Sequence, residues 1–284
     1  METDSNAGIP PVKLGAGSRF NFRCYPGISC FTRCCRGINI MLTPYDIVRL
    51  KNRLELSSEE FLAMYTTPQL LEKTDLPVVT LRMLDDQPGE PLCPFVREDQ
   101  GCIIYEDRPT TCRYYPLGVA SLSHKPEVED GFYFFVNEPH CKGFEEETEW
   151  SVEEWRRDQE VDVYDNVNAP WTELIVRKRS IPSNIRLTQK TKNMFFTASY
   201  DIDRFRRFVF ESSFLSLYKV DEKTVEQIRE DELELLNFSF RWLKWLLFQE
   251  GDEFSLNENE AEKRRSRQAG RDSGGTQETG ESPE

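Results

Sequence analysis

"CYPGISCFTRCC" occupies residues 24–35 and holds Cys24, Cys30, Cys34 and Cys35, half of the eight cysteines in the chain. The other four, Cys93, Cys102, Cys112 and Cys141, all lie in the first half, and none follows Cys141. Cysteines used only for packing would scatter along the whole length, whereas a metal site gathers them. Thiolate is the soft ligand that selects zinc or iron–sulfur clusters, and four suffice for one tetrahedral zinc or one common cysteinyl cluster. Eight therefore allow two mononuclear sites, or one site and spares. Adjacent side chains diverge, so Cys34 and Cys35 rarely complete the same tetrahedron. Either each serves a different metal, or one ligates and the other packs.

Working outward, the residues on either side of this stretch are read from their periodicity and end signals. Thr43 is a good N-cap, with Pro44 at the first helical position and Asp46 three residues on, and Ile47, Leu50 and Leu54 form the apolar stripe. Ser57 with Glu60, and Ser151 with Glu154, repeat the capping-box spacing and open two further helices. "PVVTLRML" from residue 77 and "GFYFFV" at 131–136 read as strands of a small antiparallel sheet, with Cys93, Cys102 and Cys112 on loops between them. Helical patterns follow over about 171–180, 188–199 and 201–218, then in one long element from Asp221 to Phe248. The fold class expected is α+β. A flexible arm covers 1–19, a cysteine-cluster metal-binding domain 20–145, a helical region 146–248 and a disordered acidic tail 249–284. In that tail apolar residues are too few to offset chain entropy.

Composition narrows the function. The 284 residues carry 36 Lys+Arg against 50 Asp+Glu, a formal net charge of −14, which disfavours capture of nucleic acid or anionic lipid. The first twenty residues lack a signal-peptide apolar core, and the densest apolar run, Trp242 to Phe248, is interrupted by Lys244 and too short to span a bilayer. The expectation is a cytoplasmic protein with neither nucleic acid nor membrane as partner. There is no Walker A loop, no G-x-G-x-x-G and no C-x-x-C redox pair. A mechanism that needs histidine has only His124 and His140, of which His140, beside Cys141, is either a ligand or a surface residue.

"CPFVREDQGCIIYEDRPTTCRYYPLG" at 93–118 carries a resemblance. In order and spacing, its Cys-Pro-Phe, Gly-Cys, Ile-Tyr-Glu, Arg-Pro and Cys-Arg steps, together with the 24–35 knot, resemble the bacterial cysteine-cluster family called YkgJ-like. The family's signature is C…CxxCxxCC, and its members are described as zinc- or iron-chelating. The likeness covers about residues 20–145. It implies a cofactor of zinc or an iron–sulfur cluster, with Cys24, Cys34, Cys35, Cys93, Cys102 and Cys112 as ligands by motif. Cys30 and Cys141 complete the set. Here the gaps in the first motif are five, three and zero residues rather than two, so the matching of Cys30, Cys34 and Cys35 to family positions stays open. In physical terms Asp107 is suited to cap the turn at Arg108-Pro109. Arg108 and Arg113 either oppose thiolate charge or pair on the surface with Glu98 or Glu106. Tyr105 either donates to sulfur or packs in the core.

The family is also similar to a domain of flagellin lysine-N-methylases, which gives an enzymatic alternative, though a glycine-rich cofactor loop after a strand is not visible. A third alternative is an interaction protein that docks a partner through the aromatic C-terminal helix "FSFRWLKWLLF". The reading taken forward is a metal-binding protein whose ligands hold a loop-rich module together.

Overall fold

A computed structural model describes residues 12–85, 89–120, 132–182, 186–251 and 254. The fold is α+β, with helices throughout and four small antiparallel sheets among the described residues. The chain divides into two compact units, residues 1–204 and 205–284.

The first unit opens with β1 (Arg19–Asn21), which pairs with a much later strand, and β2 (Met41–Leu42). Capping chemistry then sets two helix starts. Thr43 Oγ1 accepts from Asp46 N–H and the Asp46 carboxylate accepts from Thr43 N–H, opening α1 (Pro44–Arg53). Ser57 and Glu60 form the same reciprocal pair at α2 (Ser58–Tyr65). Next come β3 (Thr66–Leu71) and β4 (Leu76–Leu81), in a sheet ordered β2-β4-β3. Every residue of β4 is buried, because it is the central strand and α6 (below) packs on it. Its apolar run is therefore that of a strand covered on both faces.

A two-residue hairpin, β5 (Val96–Arg97) and β6 (Gly101–Cys102), precedes the short helix α3 (Thr110–Tyr114). Strands β7 (Leu117–Ala120) and β8 (Phe132–Phe135) pair in their own sheet. The two strands expected around 77–84 and 131–136 thus form, but in different sheets, since β4 and β8 each find a nearer partner. Then β9 (Glu149–Ser151) returns to β1 with Phe20 opposite Trp150. This pairing runs across the division expected at 145/146, which falls inside the first unit. Ser151 and Glu154 cap α4 (Val152–Asp158) as their spacing predicts.

α5 (Val161–Arg179) starts ten residues before the expected 171 and continues through Pro170. The proline removes one N–H donor, but burial of Tyr164, Asn168, Trp171 and Leu174 keeps the helix continuous. α6 (Gln189–Tyr200) completes the unit. Its core gathers Phe20, Phe22, Tyr114, Leu117, Val152 and Trp155, with Phe20 and Phe22 in edge-to-face contact with Trp155. Of the arm expected over 1–19, Leu14 is buried and pairs with Tyr133, while residues 1–11 lie outside the described residues.

α7 (Ile202–Glu211) leads into the second unit, which holds α8 (Phe214–Leu217), α9 (Glu222–Glu230) and α10 (Glu232–Phe248). The single long element expected from Asp221 is two helices. Asp231 is extended (φ −111°, ψ 122°) and its carboxylate accepts from Leu233 N–H (2.7 Å) and Glu234 N–H (3.3 Å), ending one helix and capping the next. Phe205, Phe214, Phe238 and Trp242 form an aromatic core that Phe254 also enters. The apolar face of "FSFRWLKWLLF" is largely internal, with Phe238, Phe240, Trp242 and Leu243 all buried. Apart from 249–251 and Phe254, the expected tail lies outside the described residues. No helix among the described residues is long and apolar enough to cross a membrane.

Candidate metal centre

The 24–35 stretch folds as a chain of tight turns. Thr32 takes a left-handed conformation (φ 66°), and a 3-10 turn follows over Arg33–Cys35. Arg33 N–H donates to Cys30 O (3.0 Å) and Cys35 N–H to Thr32 O (3.0 Å). At three residues per turn, successive side chains point about 120° apart. Cys34 and Cys35 therefore face different neighbours although their side chains are hydrogen bonded to each other.

Cys34 lines one cavity with Cys24, Cys30 and Cys141, beside Tyr115 and His140. Its volume is about 260 Å³ with the solvent at the mouth included. Cys30 Sγ accepts from Lys142 N–H at 3.2 Å, and the Tyr115 hydroxyl is hydrogen bonded to Cys141. Tyr115 O–H also lies 3.3 Å from Glu138 Oε2, to which it donates. Cys24 is exposed as a residue, yet its thiol is pushed up to about 12, first by burial and then by Cys34, Cys30 and Cys141.

Cys35 lies within electrostatic reach of Cys93 and Cys112, and Cys34 within reach of Cys93, Cys102 and Cys112. Backbone pairing makes this contact: Cys93 N–H donates to Cys35 O (2.9 Å) and Gly37 N–H to Pro91 O (2.9 Å), with Arg36 bridged to Leu92. The β5–β6 hairpin brings Cys102 opposite Val96. Gly101 makes that hairpin possible, since its φ is +74° and an added Cβ would stand 2.8 Å from Phe31 Cζ. Cys112 sits on α3, whose first turn is held by the buried Asp46. That carboxylate's Oδ1 accepts from Thr110 N–H and Thr110 Oγ1, each at 2.8 Å. Burial pushes the Cys93 thiol up to about 11 and the Cys112 thiol well above its ordinary value, and the neighbouring cysteines add to both. Burial likewise raises Cys102, opposed by the Ile104 N–H and by Arg108. In the adjacent pair, the hydrogen bond from Cys35 lowers Cys34 and raises Cys35 itself.

All eight cysteines are free thiols, and the fold brings them into these two neighbourhoods. Among the described residues, no group of three or more His, Cys, Asp or Glu side chains is already closed into geometry that would hold a metal ion. The donor chemistry nevertheless fits soft metal. Each neighbourhood offers four sulfurs, and His140 Nε2 at the first is a buried nitrogen with no hydrogen-bond partner. Bringing such donors onto one point is the step that metal–ligand bonds drive.

Of the other residues singled out, Arg108 opposes thiolate charge as expected, and the rest have different roles. Arg113 is buried, neither facing thiolates nor exposed. Its guanidinium donates to Arg108 O, Gln159 O, Glu106 O and the Tyr164 hydroxyl. Arg108 is buried over the Tyr105 ring and acts on Cys102, while Tyr105 itself is exposed. Asp107 caps no turn; it pairs with Arg49 and Arg53 of α1. Tyr115 and Glu138 were not picked out from the sequence, and only their nearness to Cys112 and Cys141 along the chain hinted at them.

The model of one known protein family matches residues 23–149, a span that covers all eight cysteines. The family is called CxxCxxCC and described as "Putative zinc- or iron-chelating domain". No curated protein and no solved structure matches the chain. The matched span comprises β2 to β8 with the loops bearing the thiols, and it ends as β9 begins.

Proposed function

We propose that this chain chelates zinc or iron through two thiolate groups, Cys24, Cys30, Cys34 and Cys141 in one and Cys35, Cys93, Cys102 and Cys112 in the other. The observation that carries the reading is the convergence of the cysteines on the adjacent pair Cys34 and Cys35. Cys34 lines a cavity with Cys24, Cys30 and Cys141 and also lies within electrostatic reach of Cys93, Cys102 and Cys112, while Cys35 lies within reach of Cys93 and Cys112. A bound metal would supply the bonds that hold these loops together. The chain's own groups prepare for it: Lys142 N–H and the Tyr115 hydroxyl hold Cys30 and Cys141, and Arg108 favours the thiolate of Cys102. Burial favours the protonated thiols of Cys24, Cys93, Cys102 and Cys112, so loading would release protons.

The test is metal analysis and an absorption spectrum on one anaerobically purified sample of the full chain. Iron with acid-labile sulfide and a visible charge-transfer band identifies clusters; zinc without colour identifies tetrahedral thiolate sites. Cys112→Ser and Cys141→Ser should each lose about half of the metal, since each removes a ligand from a different group. Neither metal, with eight titratable thiols, would overturn the reading.

A further inference from the structure

We infer that His140 Nε2 is a ligand to the metal of the first thiol group, taking one of its four positions in place of one of the four cysteines, so that this group is a mixed sulfur–nitrogen site while the second is sulfur only. The inference rests on the metal-binding reading above and specifies which donors that site uses.

Three observations carry it. His140 lines the same cavity as Cys24, Cys30, Cys34 and Cys141. Its Nε2 is buried and makes no hydrogen bond, although the imidazole as a whole is one-third exposed. A buried polar atom in this condition is destabilising unless something binds it. The third observation is Glu138, whose Oε2 stands 3.1 Å from Nε2 without hydrogen-bond alignment. An unprotonated Nε2 this close to a carboxylate oxygen is repelled by it unless a cation lies beside them. A metal held by the adjacent sulfurs would provide it. A proton on Nε2 would instead make it a donor toward that carboxylate, and the experiment separates the two.

Local structure supports the placement. Cys141 N–H donates to Glu138 O at 2.9 Å, so residues 138–141 form a turn that carries Glu138, His140 and Cys141 together. Lys142 N–H continues from this turn to Cys30 Sγ. Among the described residues the second group has no equivalent: it draws on Cys35, Cys93, Cys102 and Cys112, and the other histidine of the sequence, His124, lies outside the described residues. Imidazole nitrogen suits zinc well, and a mixed sulfur–nitrogen set is a usual structural zinc environment.

The experiment is X-ray absorption at the zinc edge on the full chain loaded with zinc under reducing conditions. Zn–N at about 2.0–2.1 Å and Zn–S at about 2.3 Å are resolvable, and a rigid imidazole adds characteristic outer-shell scattering. The wild type should show one imidazole for every two zincs. His140→Ala should lose that scattering, while Cys112→Ser, which disables the other group, should raise the imidazole share per remaining zinc. Absence of imidazole scattering in the wild type overturns the inference without any variant having to fold. Its persistence in His140→Ala overturns it too, by assigning the nitrogen to His124. A chain that binds no zinc or iron at all is a different failure, that of the metal-binding reading itself.

Discussion

Asp46 serves two helices with one carboxylate. Oδ2 accepts from Thr43 N–H at the start of α1, and Oδ1 accepts from both donors of Thr110 at the start of α3. The residue has no exposed surface, and burial pushes its carboxyl up against the opposing pull of these donors. It thereby fixes Cys112, two residues beyond Thr110, relative to α1. Asp46→Ala would strand three donors and uncap both helix starts, costing about 3–5 kcal/mol if each lost partner contributes ~1–2 kcal/mol. Asp46→Asn replaces one acceptor by a donor and should cost roughly 1–3 kcal/mol. Urea denaturation of the two variants checks this, and a midpoint unchanged by Asp46→Ala would remove Asp46 from this role. The Thr43–Asp46 half of the arrangement was legible in the sequence, because a capping box is local. The Thr110 half was not, since it joins residues 64 positions apart. Arg113 shows the same limit: its partners Gln159 and Tyr164 lie on a stretch that only folding brings near.

Helices were readable from the sequence where the cap was strong, and misread where two joined without a glycine or proline. Ser57, Ser151 and Thr43 each announced a start. Asp231 did not, because the acidic run from Glu230 to Glu234 looks like continued helix surface. The signal was present in principle, as Asp followed by Glu232 and Glu234 is also a cap with an acidic first turn. Arg206 reinforces the break by donating to Ile228 O (3.1 Å) and Arg229 O (2.7 Å), which satisfies carbonyls at the end of α9. Asp231→Ala should therefore destabilise the C-terminal helices by about 1 kcal/mol, within the usual ~0.5–2 for an N-cap. Metal content should be unchanged, since no cysteine lies in this unit. Circular dichroism through thermal unfolding, with metal analysis on the same sample, checks both halves. Loss of metal from Asp231→Ala would contradict the separation. The cysteine-bearing elements were the least legible, because β5 and β6 are two residues each and form through register rather than periodicity.

Across the molecule, stability is distributed unevenly between the cysteine loops and the helices. The thiol-bearing segments 24–35 and 93–112 hold themselves by a 3-10 turn, a two-pair hairpin and a few backbone bonds to each other. Short pairings of this kind are marginal in water without further support. The second unit carries its own aromatic core, from Phe205 to Phe254, and no thiol. If metal–ligand bonds supply folding free energy to the loops, removing the metal should loosen them selectively. Hydrogen exchange on the full chain, before and after treatment with a chelator under reducing conditions, reads this directly. The amides of Cys35 and Ile103, which bond within the two segments, and of Cys93, which links them, should lose protection by at least tenfold, which corresponds to about 1.4 kcal/mol of local stability. Amides within α10 should exchange as before. Uniform loss of protection would mean that the metal supports the whole chain rather than the loops. Unchanged protection at Cys93 would mean that the backbone pairing of residues 35–37 with 91–93 holds the second thiol group without metal.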